Sequence, residues 1–112
     1  MAIKSFEENG VGLSKKTLYG GDRLKIIYNG LLAGSGAENI YLHSGYGSEW
    51  SHSTYTQMHK EAEGFSAEIQ ILDGKSLQLC FKDSADNWDN NSGANYVFKI
   101  SGRRSKKAGT GI

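Results

Sequence analysis

The residues with the most distinctive chemistry in this sequence are two tryptophans, each surrounded by small polar residues. Trp88 stands among two aspartates and three asparagines in the segment 86–91, and Trp50 stands in the polar segment 44–53. Asn and Asp side chains bond their own backbone in turns, so the segment 86–91 is typical of a rigid loop. A large ring on such a loop either packs back into the core or contacts a ligand, because large aromatic side chains dominate both cores and interfaces.

A histidine adds to this group of aromatic and polar residues. His43 ends a predicted strand, Trp50 follows in the next loop, and Trp88 stands in a later loop. Flat rings stack on the apolar C–H faces of a neutral sugar, and Asn, Asp and backbone groups bond its hydroxyls. We therefore expect His43, Trp50 and Trp88 to form a surface for a neutral sugar chain.

Metal binding is the first alternative chemistry. His43, His52 and His59 are too far apart for one strand or turn to present them together, and Cys80 supplies a single thiol. A zinc site needs several convergent ligands, so no zinc site is expected. Cys80 stands between two apolar residues and is predicted to be a buried, inert thiol. No cofactor is expected.

The carboxylates suggest calcium binding or hydrolysis as further alternatives. Asp83, Asp86 and Asp89 supply the oxygen ligands that calcium prefers, but their spacing does not match an EF-hand loop. Asx turns are favoured, and a calcium ion beside these aspartates stays open at this point. Glu49 and Asp89 flank the two tryptophans, but sugar hydrolysis needs a carboxylate pair in a water-excluding cleft. Short loops offer little depth for such a cleft, so we expect no enzymatic activity.

The composition is that of one ordinary globular domain. The chain has 112 residues, of which 38% are hydrophobic and 22% charged, and its formal net charge is +1. These values exclude a disordered chain and give no basis for nucleic acid or an acidic membrane as a partner. No apolar stretch approaches the roughly 18–20 residues that a membrane helix needs. We expect a monomer.

The elements that position these residues are predicted to be short strands. The chain has 15 glycines and no proline, which suits many tight turns and does not suit helices. We predict an all-β, antiparallel immunoglobulin-like β-sandwich of about seven to nine strands. The main strands are predicted at 23–28, 39–43, 55–59, 65–71, 77–83 and 96–100, and 65–71 alternates most clearly.

Three regions follow from this pattern. Residues 1–10 are predicted to be an N-terminal arm, and residues 11–101 the β-sandwich. Residues 102–112 are basic and then glycine-rich, and they are predicted to be a disordered tail. The segment 31–36 is predicted to be an irregular connection rich in glycine.

With these motifs in this order, the sequence resembles the starch-binding carbohydrate-binding modules of families 25 and 53. The resemblance extends from about Gly20 to Ile100. The residues that carry it are Tyr41-Leu42-His43, Trp50, Met58, Gly64-Phe65, the segments 79–83 and 87–91, and Asn95-Tyr96.

The resemblance implies an immunoglobulin-like sandwich that binds α-glucans without cleaving them. A histidine and two tryptophans form the sugar platform in family 25, and they correspond to His43, Trp50 and Trp88. The further sugar contacts implied by the resemblance, or suggested by the loop before Trp50, are Asn90, Asp89, Asn91 and Tyr46.

The resemblance also bears on partners and location. Members of these families are attached to amylases or starch synthases, so the chain is expected to be a module of a larger amylolytic or glucan-synthesising protein. The start of the chain lacks the apolar block of a signal peptide. A cytoplasmic location is expected if Met1 is native, and an extracellular one if the module was excised from a secreted enzyme.

Two other functions fit the same residues. One is an immunoglobulin-like protein-interaction domain in which the tryptophans form a hot spot. The other is a nucleic-acid binder that combines stacked aromatic rings with the basic segment 103–107.

Overall fold

The computed structural model describes residues 7–8, 10–62 and 64–103, which form an all-β sandwich of two sheets. Most of the predicted arm and tail, residues 1–6 and 104–112, lies outside these ranges. The predicted region boundaries stay predictions, although strand pairing crosses both of them. Glu8 pairs with Val11, and Arg103 pairs with Gly20.

The described elements are mostly short strands, with one four-residue α-helix and one 3-10 turn. In chain order they are β1 (Glu7–Glu8), β2 (Val11–Leu13), β3 (Leu18–Gly20), β4 (Arg23–Tyr28), α1 (Leu31–Gly34), β5 (Ile40–Tyr46), β6 (Ser51–Gln57), β7 (His59–Glu61), β8 (Gly64–Gln70), β9 (Ser76–Asp83), β10 (Trp88–Asp89), the 3-10 turn η1 (Asn91–Gly93) and β11 (Tyr96–Arg103).

The first sheet has the spatial order β1-β2-β4-β8-β7, and all of these pairs are antiparallel. The second sheet has the order β3-β11-β9-β5-β6, with β10 paired to β9. Its pairs are antiparallel except for β3 with β11, which is parallel. Neither helical element in the described ranges is long and apolar enough to cross a membrane.

The core lies between the two sheets, where alternate residues of facing strands point inward. Full burial of one large apolar side chain stabilises the fold by roughly 1.5–3 kcal/mol. The alternate residues predicted to face the core from β4 and β9 are completely buried: Leu24, Ile26, Tyr28, Leu77, Leu79 and Phe81.

The predicted all-β sandwich is confirmed, but the described chain has more strands than the seven to nine expected. The additional strands have two or three residues, too few to show an alternating pattern. The segment 44–53 was predicted to be a loop, whereas β5 continues to Tyr46 and β6 already begins at Ser51. The residues of β6 are mostly exposed, and those before Tyr55 show no apolar alternation, so only the end of β6 was predicted as a strand.

The connection predicted at 31–36 contains a helix that the sequence pattern did not indicate. Leu31–Gly34 forms one turn of α-helix, and Leu32 packs into the core. A single turn is too short to establish a helical period, so the sequence carried no signal for it.

Candidate carbohydrate-binding site

The outer face of the second sheet carries most of the predicted site, because strand pairing places the relevant side chains next to each other. His43 on β5 pairs with Tyr55 on β6 and with Cys80 on β9. Lys82 on β9 pairs with Trp88 on β10. Directly paired residues point to the same face of a sheet, and residues 80 and 82 share a face by alternation. All five side chains therefore lie on the face opposite the core.

Four rings on this face form the aromatic cluster, which consists of His43, Trp50, Tyr55 and Trp88. The imidazole of His43 stacks on Tyr55, with 4.2 Å between ring centroids and 8° between planes. It also stacks on Trp50 at 4.7 Å and 28°, and Trp88 meets it edge-on at 6.1 Å and 63°. Tyr55 is 56% exposed and Trp88 42%, so the cluster offers two well-exposed rings around a central histidine.

The position of Trp50 is set by the turn 47–50 between β5 and β6. Trp50 has a φ of +59°, which is rare for a bulky residue, and its N–H donates to the carbonyl oxygen of Gly47 at 3.1 Å. Its ring lies against Gly45, where a Cβ atom would be 2.5 Å from Cε3 of Trp50. Glycine at this position therefore leaves the space that the indole occupies.

Lys82 lies between the two exposed rings. Its Nζ atom is 5.5 Å from the centre of the Trp88 ring and 5.9 Å from the centre of the Tyr55 ring, which is within cation–π range. It also forms an ion pair with Oδ1 of Asp86 at 2.8 Å, and the hydrogen bond with Asp86 raises the pKa of Lys82. Beside the rings the surface thus presents N–H donors and a carboxylate, groups that bond sugar hydroxyls.

Burial shifts the two titratable groups at the base of the cluster in opposite directions. It lowers the pKa of His43, because the charged imidazolium loses hydration. It raises the pKa of the Cys80 thiol to about 11, and the negative charge of Asp89 adds to this effect. Sγ of Cys80 lies 3.7 Å from Nδ1 of His43, so the base of the cluster holds two mainly neutral groups at pH 7.

The predicted burial of Cys80 is confirmed. Its neighbours Leu79 and Phe81 point into the core. Alternation along β9 therefore places Cys80 on the opposite face, against His43. The thiol is shielded at the base of the aromatic cluster and not between the two sheets.

The loop before Trp88 is held by the carboxylate of Asp83. It accepts hydrogen bonds at 2.9 Å from the backbone N–H groups of Ala85 and Asn87, and at 3.0 Å from Nδ2 of Asn87. These hydrogen bonds lower the pKa of Asp83. They are the local side-chain to backbone bonds that the density of Asn and Asp residues predicted for this loop.

Two of the residues predicted to contact sugar are buried, and the structure does not bring them to the aromatic cluster. Asp89 is 6% exposed, and its carboxylate accepts hydrogen bonds from the hydroxyls of Tyr28 and Tyr96. Tyr46 is also 6% exposed, and its hydroxyl accepts a hydrogen bond from the N–H of Leu72. Successive residues of a strand point to opposite faces, and the side chains of Asp89 and Tyr46 are the ones that point into the sandwich.

Asn90 and Asn91 shape the turn after Trp88. The side-chain oxygen of Asn90 accepts a hydrogen bond from the N–H of Gly93 at 3.0 Å, and Nδ2 of Asn91 donates to the carbonyl oxygen of Asn95 at 3.0 Å. Asn91 has a φ of +55°, which asparagine tolerates better than most residues. Asn90 is exposed and Asn91 half-buried, and their roles as sugar contacts stay predictions.

Tyr55 is a member of the cluster that sequence reasoning missed. It was placed in a predicted strand at 55–59 but not in the site, because the segment before it was taken for a loop. Tyr55 could have been found from its pairing with His43. That pairing is recognised only when the whole of β6, from Ser51, is known to be a strand next to β5.

The described part of the chain was also compared with the metal sites considered above. No three His, Cys, Asp or Glu side chains there are grouped to hold a metal ion. Asp86 pairs with Lys82, while Asp83 bonds its own loop. His52 lies at the edge of the second sheet and His59 in the first sheet, so the three histidines do not converge.

The structure is a small β-sandwich with four clustered aromatic rings on the outer face of one sheet. Residues 24–78 match the family model described as starch/carbohydrate-binding module (family 53). This stretch begins in β4, ends in β9, and contains His43, Trp50 and Tyr55. Over this stretch, the match confirms the resemblance indicated by the sequence motifs.

A curated relative is similar to this chain over a longer stretch. An alpha-amylase from Clostridium acetobutylicum is 38% identical in an alignment 83 residues long, which covers 68% of this chain and 10% of the amylase. The chain thus spans about a tenth of the length of this curated relative. No solved structure matches the chain.

Proposed function

We propose that this module binds α-glucans, such as starch, glycogen and malto-oligosaccharides, through the aromatic cluster, and that it does not cleave them. The family match supports a carbohydrate ligand. The observation that supports an α-glucan in particular is the inclination of the rings. The planes of Trp50 and Trp88 make angles of 28° and 63° with the imidazole of His43, so they are inclined to each other by at least the difference, 35°.

Inclined rings suit a curved ligand. An α-glucan coils and presents successive glucose faces at changing angles, whereas a flat row of coplanar rings would suit an extended chain. Tyr55 lies within 8° of the imidazole plane, so it is inclined to Trp88 by at least 55°, the difference from 63°. The exposed faces of Tyr55 and Trp88 are therefore placed to contact different glucose units of one curved chain.

The expected affinity is modest. Each ring stacked on a sugar face contributes roughly 1–3 kcal/mol from apolar burial and aromatic geometry. The ordering of a flexible sugar chain and the competition of water for its hydroxyls offset part of this gain. A dissociation constant on the order of micromolar to millimolar follows.

Polar groups at the rim are proposed to fix the orientation of the sugar. The ammonium of Lys82 and the carboxylate of Asp86 stand beside the exposed rings. Asn90 lies in the turn directly after β10 and is exposed. These groups supply donors and acceptors for vicinal hydroxyls. Asp86 and Asn90 are exposed and need little desolvation to do so, whereas Lys82 is half-buried.

Binding without cleavage agrees with the family, which consists of binding modules. Hydrolysis needs an acid and a base on either side of the scissile bond. Asp89, one of the two carboxylates considered for this role, is buried and bonded to two tyrosines. We expect purified protein to release no reducing sugar from starch or maltoheptaose.

The chain is proposed to act as one part of a larger amylolytic protein. This rests on the alpha-amylase relative, of which the matched region is only a tenth. In that setting the module would hold the enzyme on its polymer, so that each catalytic encounter begins at a raised local substrate concentration.

The test is a titration with maltoheptaose, followed by calorimetry and tryptophan fluorescence, with the straight β-glucan cellohexaose as the matched ligand. Trp88→Ala and Tyr55→Ala should each weaken maltoheptaose binding at least about tenfold, or roughly 1.4 kcal/mol. Their midpoints of thermal unfolding should change little, because both rings are exposed. Val97→Ala is the control, since Val97 is 52% exposed on the same sheet and lies outside the cluster.

The proposal fails if maltoheptaose gives no saturable response, or if cellohexaose binds equally well. The proposed location of the site is wrong if Trp88→Ala and Val97→Ala both bind maltoheptaose with the affinity of the unsubstituted protein.

A further inference from the structure

The carboxylate of Asp89 is buried, and in the described chain its charge is balanced by hydrogen-bond donors. Oδ2 of Asp89 accepts a hydrogen bond from the hydroxyl of Tyr28 at 2.5 Å, and Oδ1 accepts one from the hydroxyl of Tyr96 at 2.9 Å. Oδ1 also accepts the backbone N–H of Asn91 at 3.3 Å. A buried charge is costly unless it is hydrogen-bonded, so this group of donors fixes the place of the carboxylate.

The hydrogen bonds of Asp89 join β10 to three other elements, and Tyr28 extends them to α1. Tyr28 belongs to β4 in the first sheet, and its hydroxyl accepts the N–H of Leu32 in α1 at 2.9 Å. Tyr96 belongs to β11 in the second sheet, and Asn91 begins η1. Burial, and then the hydrogen bond to Asp89, raise the pKa of Tyr28 far above its ordinary value, so its hydroxyl remains a donor. Asp89 is thus attached to both sheets of the sandwich.

Trp88 is the residue directly before Asp89, and the two form the whole of β10. Asp89 pairs with Phe81, whose ring stacks on Tyr28 at 4.1 Å, and Trp88 pairs with Lys82. Successive residues of a strand point to opposite faces. When Asp89 points between the sheets, Trp88 must therefore point outward to the aromatic cluster.

A two-residue strand gives little restraint by itself, because it has few backbone hydrogen bonds. The indole of Trp88 is also 42% exposed and meets His43 only at its edge. Besides its edge contact with His43, the indole has a cation–π contact with Lys82. The buried side chain of Asp89, 6% exposed, adds a restraint on the direction of the indole from the opposite face of the strand.

We propose that Asp89 is a positioning residue, which holds Trp88 in the orientation that contacts the sugar through its bonds to Tyr28 and Tyr96. This inference rests on the proposed function for its ligand, maltoheptaose, and it concerns a residue that does not touch that ligand. It separates the two neighbouring residues of β10 into one that binds and one that orients.

The test is a double-mutant cycle on maltoheptaose affinity. Asp89→Asn keeps the shape of the side chain but removes the charge and one acceptor oxygen, and it should weaken binding about tenfold. In a Trp88→Ala background the same change should leave the affinity of that background unaltered, because Asp89 acts only through the indole. Equal losses in both backgrounds would show a general effect on the fold and overturn the inference.

A second readout needs no ligand. In a Trp50→Phe background Trp88 is the single tryptophan, since the chain has two. Asp89→Asn should then shift its emission to the red and raise its quenching by acrylamide. Ile71→Val is the control, because it removes a methyl group from a fully buried core residue and is not bonded to Asp89. It should lower the unfolding midpoint without changing the emission of Trp88.

Tyr96→Phe covers the case in which Asp89→Asn does not fold. It removes a single hydroxyl, leaves the carboxylate in place, and should produce a smaller change of both readouts in the same direction. If the unsubstituted protein does not bind maltoheptaose, the proposed function is wrong, while the emission of Trp88 still tests the positioning. Unchanged emission and affinity in Asp89→Asn, or in Tyr96→Phe if that is the variant that folds, would refute the inference alone.

Discussion

His43 is the residue on which the aromatic cluster depends, since three rings contact it. Two of them stack on the imidazole, at 4.2 Å and 4.7 Å, and occupy its faces. What His43 can offer a ligand is therefore an edge nitrogen and not a flat surface. The resemblance to family 25 implied a histidine within the sugar platform. In the structure His43 stacks on Trp50 and on Tyr55, and its contact with sugar stays a prediction.

The charge of His43 couples the cluster to pH. Burial lowers the pKa of His43 below its ordinary value of 6.5, so between that value and the lowered one the unfolded chain binds more protons than the folded chain. The stabilisation from neutral His43 is complete above about pH 6.5 and is lost as the pH falls toward the lowered pKa. We expect the free energy of unfolding to fall between pH 7.5 and pH 5.5.

Urea unfolding at these two pH values checks this expectation. His43→Gln should remove most of the decrease, whereas His52→Gln, which replaces an exposed histidine on β6, should retain it. An equal decrease in the unsubstituted protein and in His43→Gln would assign the pH dependence to other groups.

At the scale of elements, what the sequence could predict was limited by strand length. Strands of six or more residues with one buried face, such as β4 and β9, show the alternation that identifies them. β6 has seven residues but lies at the edge of its sheet with nearly all of them exposed, so only its end, from Tyr55, was predicted as a strand. Tyr55 was therefore left out of the predicted site, because it joins the aromatic cluster through the pairing of β6 with β5.

The same limit explains the misplacement of Asp89. Its residue type and its position after Trp88 suggest a sugar contact, and two residues are too few to reveal which face each one occupies. Its burial depends on Tyr28, which is 61 positions away in sequence. His43, Trp50 and Trp88 could be chosen as candidates because aromatic residues among small polar ones are distinctive without any knowledge of the register. Their contacts with sugar stay predictions.

The turn between β5 and β6 offers a test at this scale. An added Cβ at Gly45 would lie 2.5 Å from Cε3 of Trp50, closer than van der Waals contact, so Gly45→Ala should displace the indole. We expect it to weaken maltoheptaose binding about tenfold. Gly34→Ala is the control, because Gly34 in α1 has open space around its added Cβ and alanine favours helix.

Calorimetric titration and near-ultraviolet circular dichroism would measure the two effects of Gly45→Ala, on affinity and on the surroundings of Trp50. If Gly45→Ala binds as tightly as Gly34→Ala, the indole of Trp50 either tolerates the displacement or makes no contact with the sugar.

At the scale of the whole molecule, the aromatic cluster is formed by residues that are far apart in the chain. The cluster takes residues from β5, the following turn, β6 and β10, and Asp89 ties β10 to the opposite sheet. The match to the family model covers residues 24–78, so it includes Tyr28 but not Trp88, Asp89 or Tyr96.

The overall charge of the chain gives the last prediction. Residues 104–112 contain three cations, Arg104, Lys106 and Lys107, so their removal changes the formal net charge from +1 to −2. A neutral glucan gains nothing from these charges, and removal of residues 104–112 should leave the maltoheptaose dissociation constant within about twofold. Raising the salt concentration from about 0.05 to about 0.5 M should likewise have little effect, because screening acts on charge pairs and not on ring stacking.

A single-stranded oligonucleotide is the comparison ligand, since phosphate binding weakens steeply with salt. Tight oligonucleotide binding that disappears with salt or with the tail, together with no response to maltoheptaose, would replace the glucan with nucleic acid as the ligand of the exposed rings.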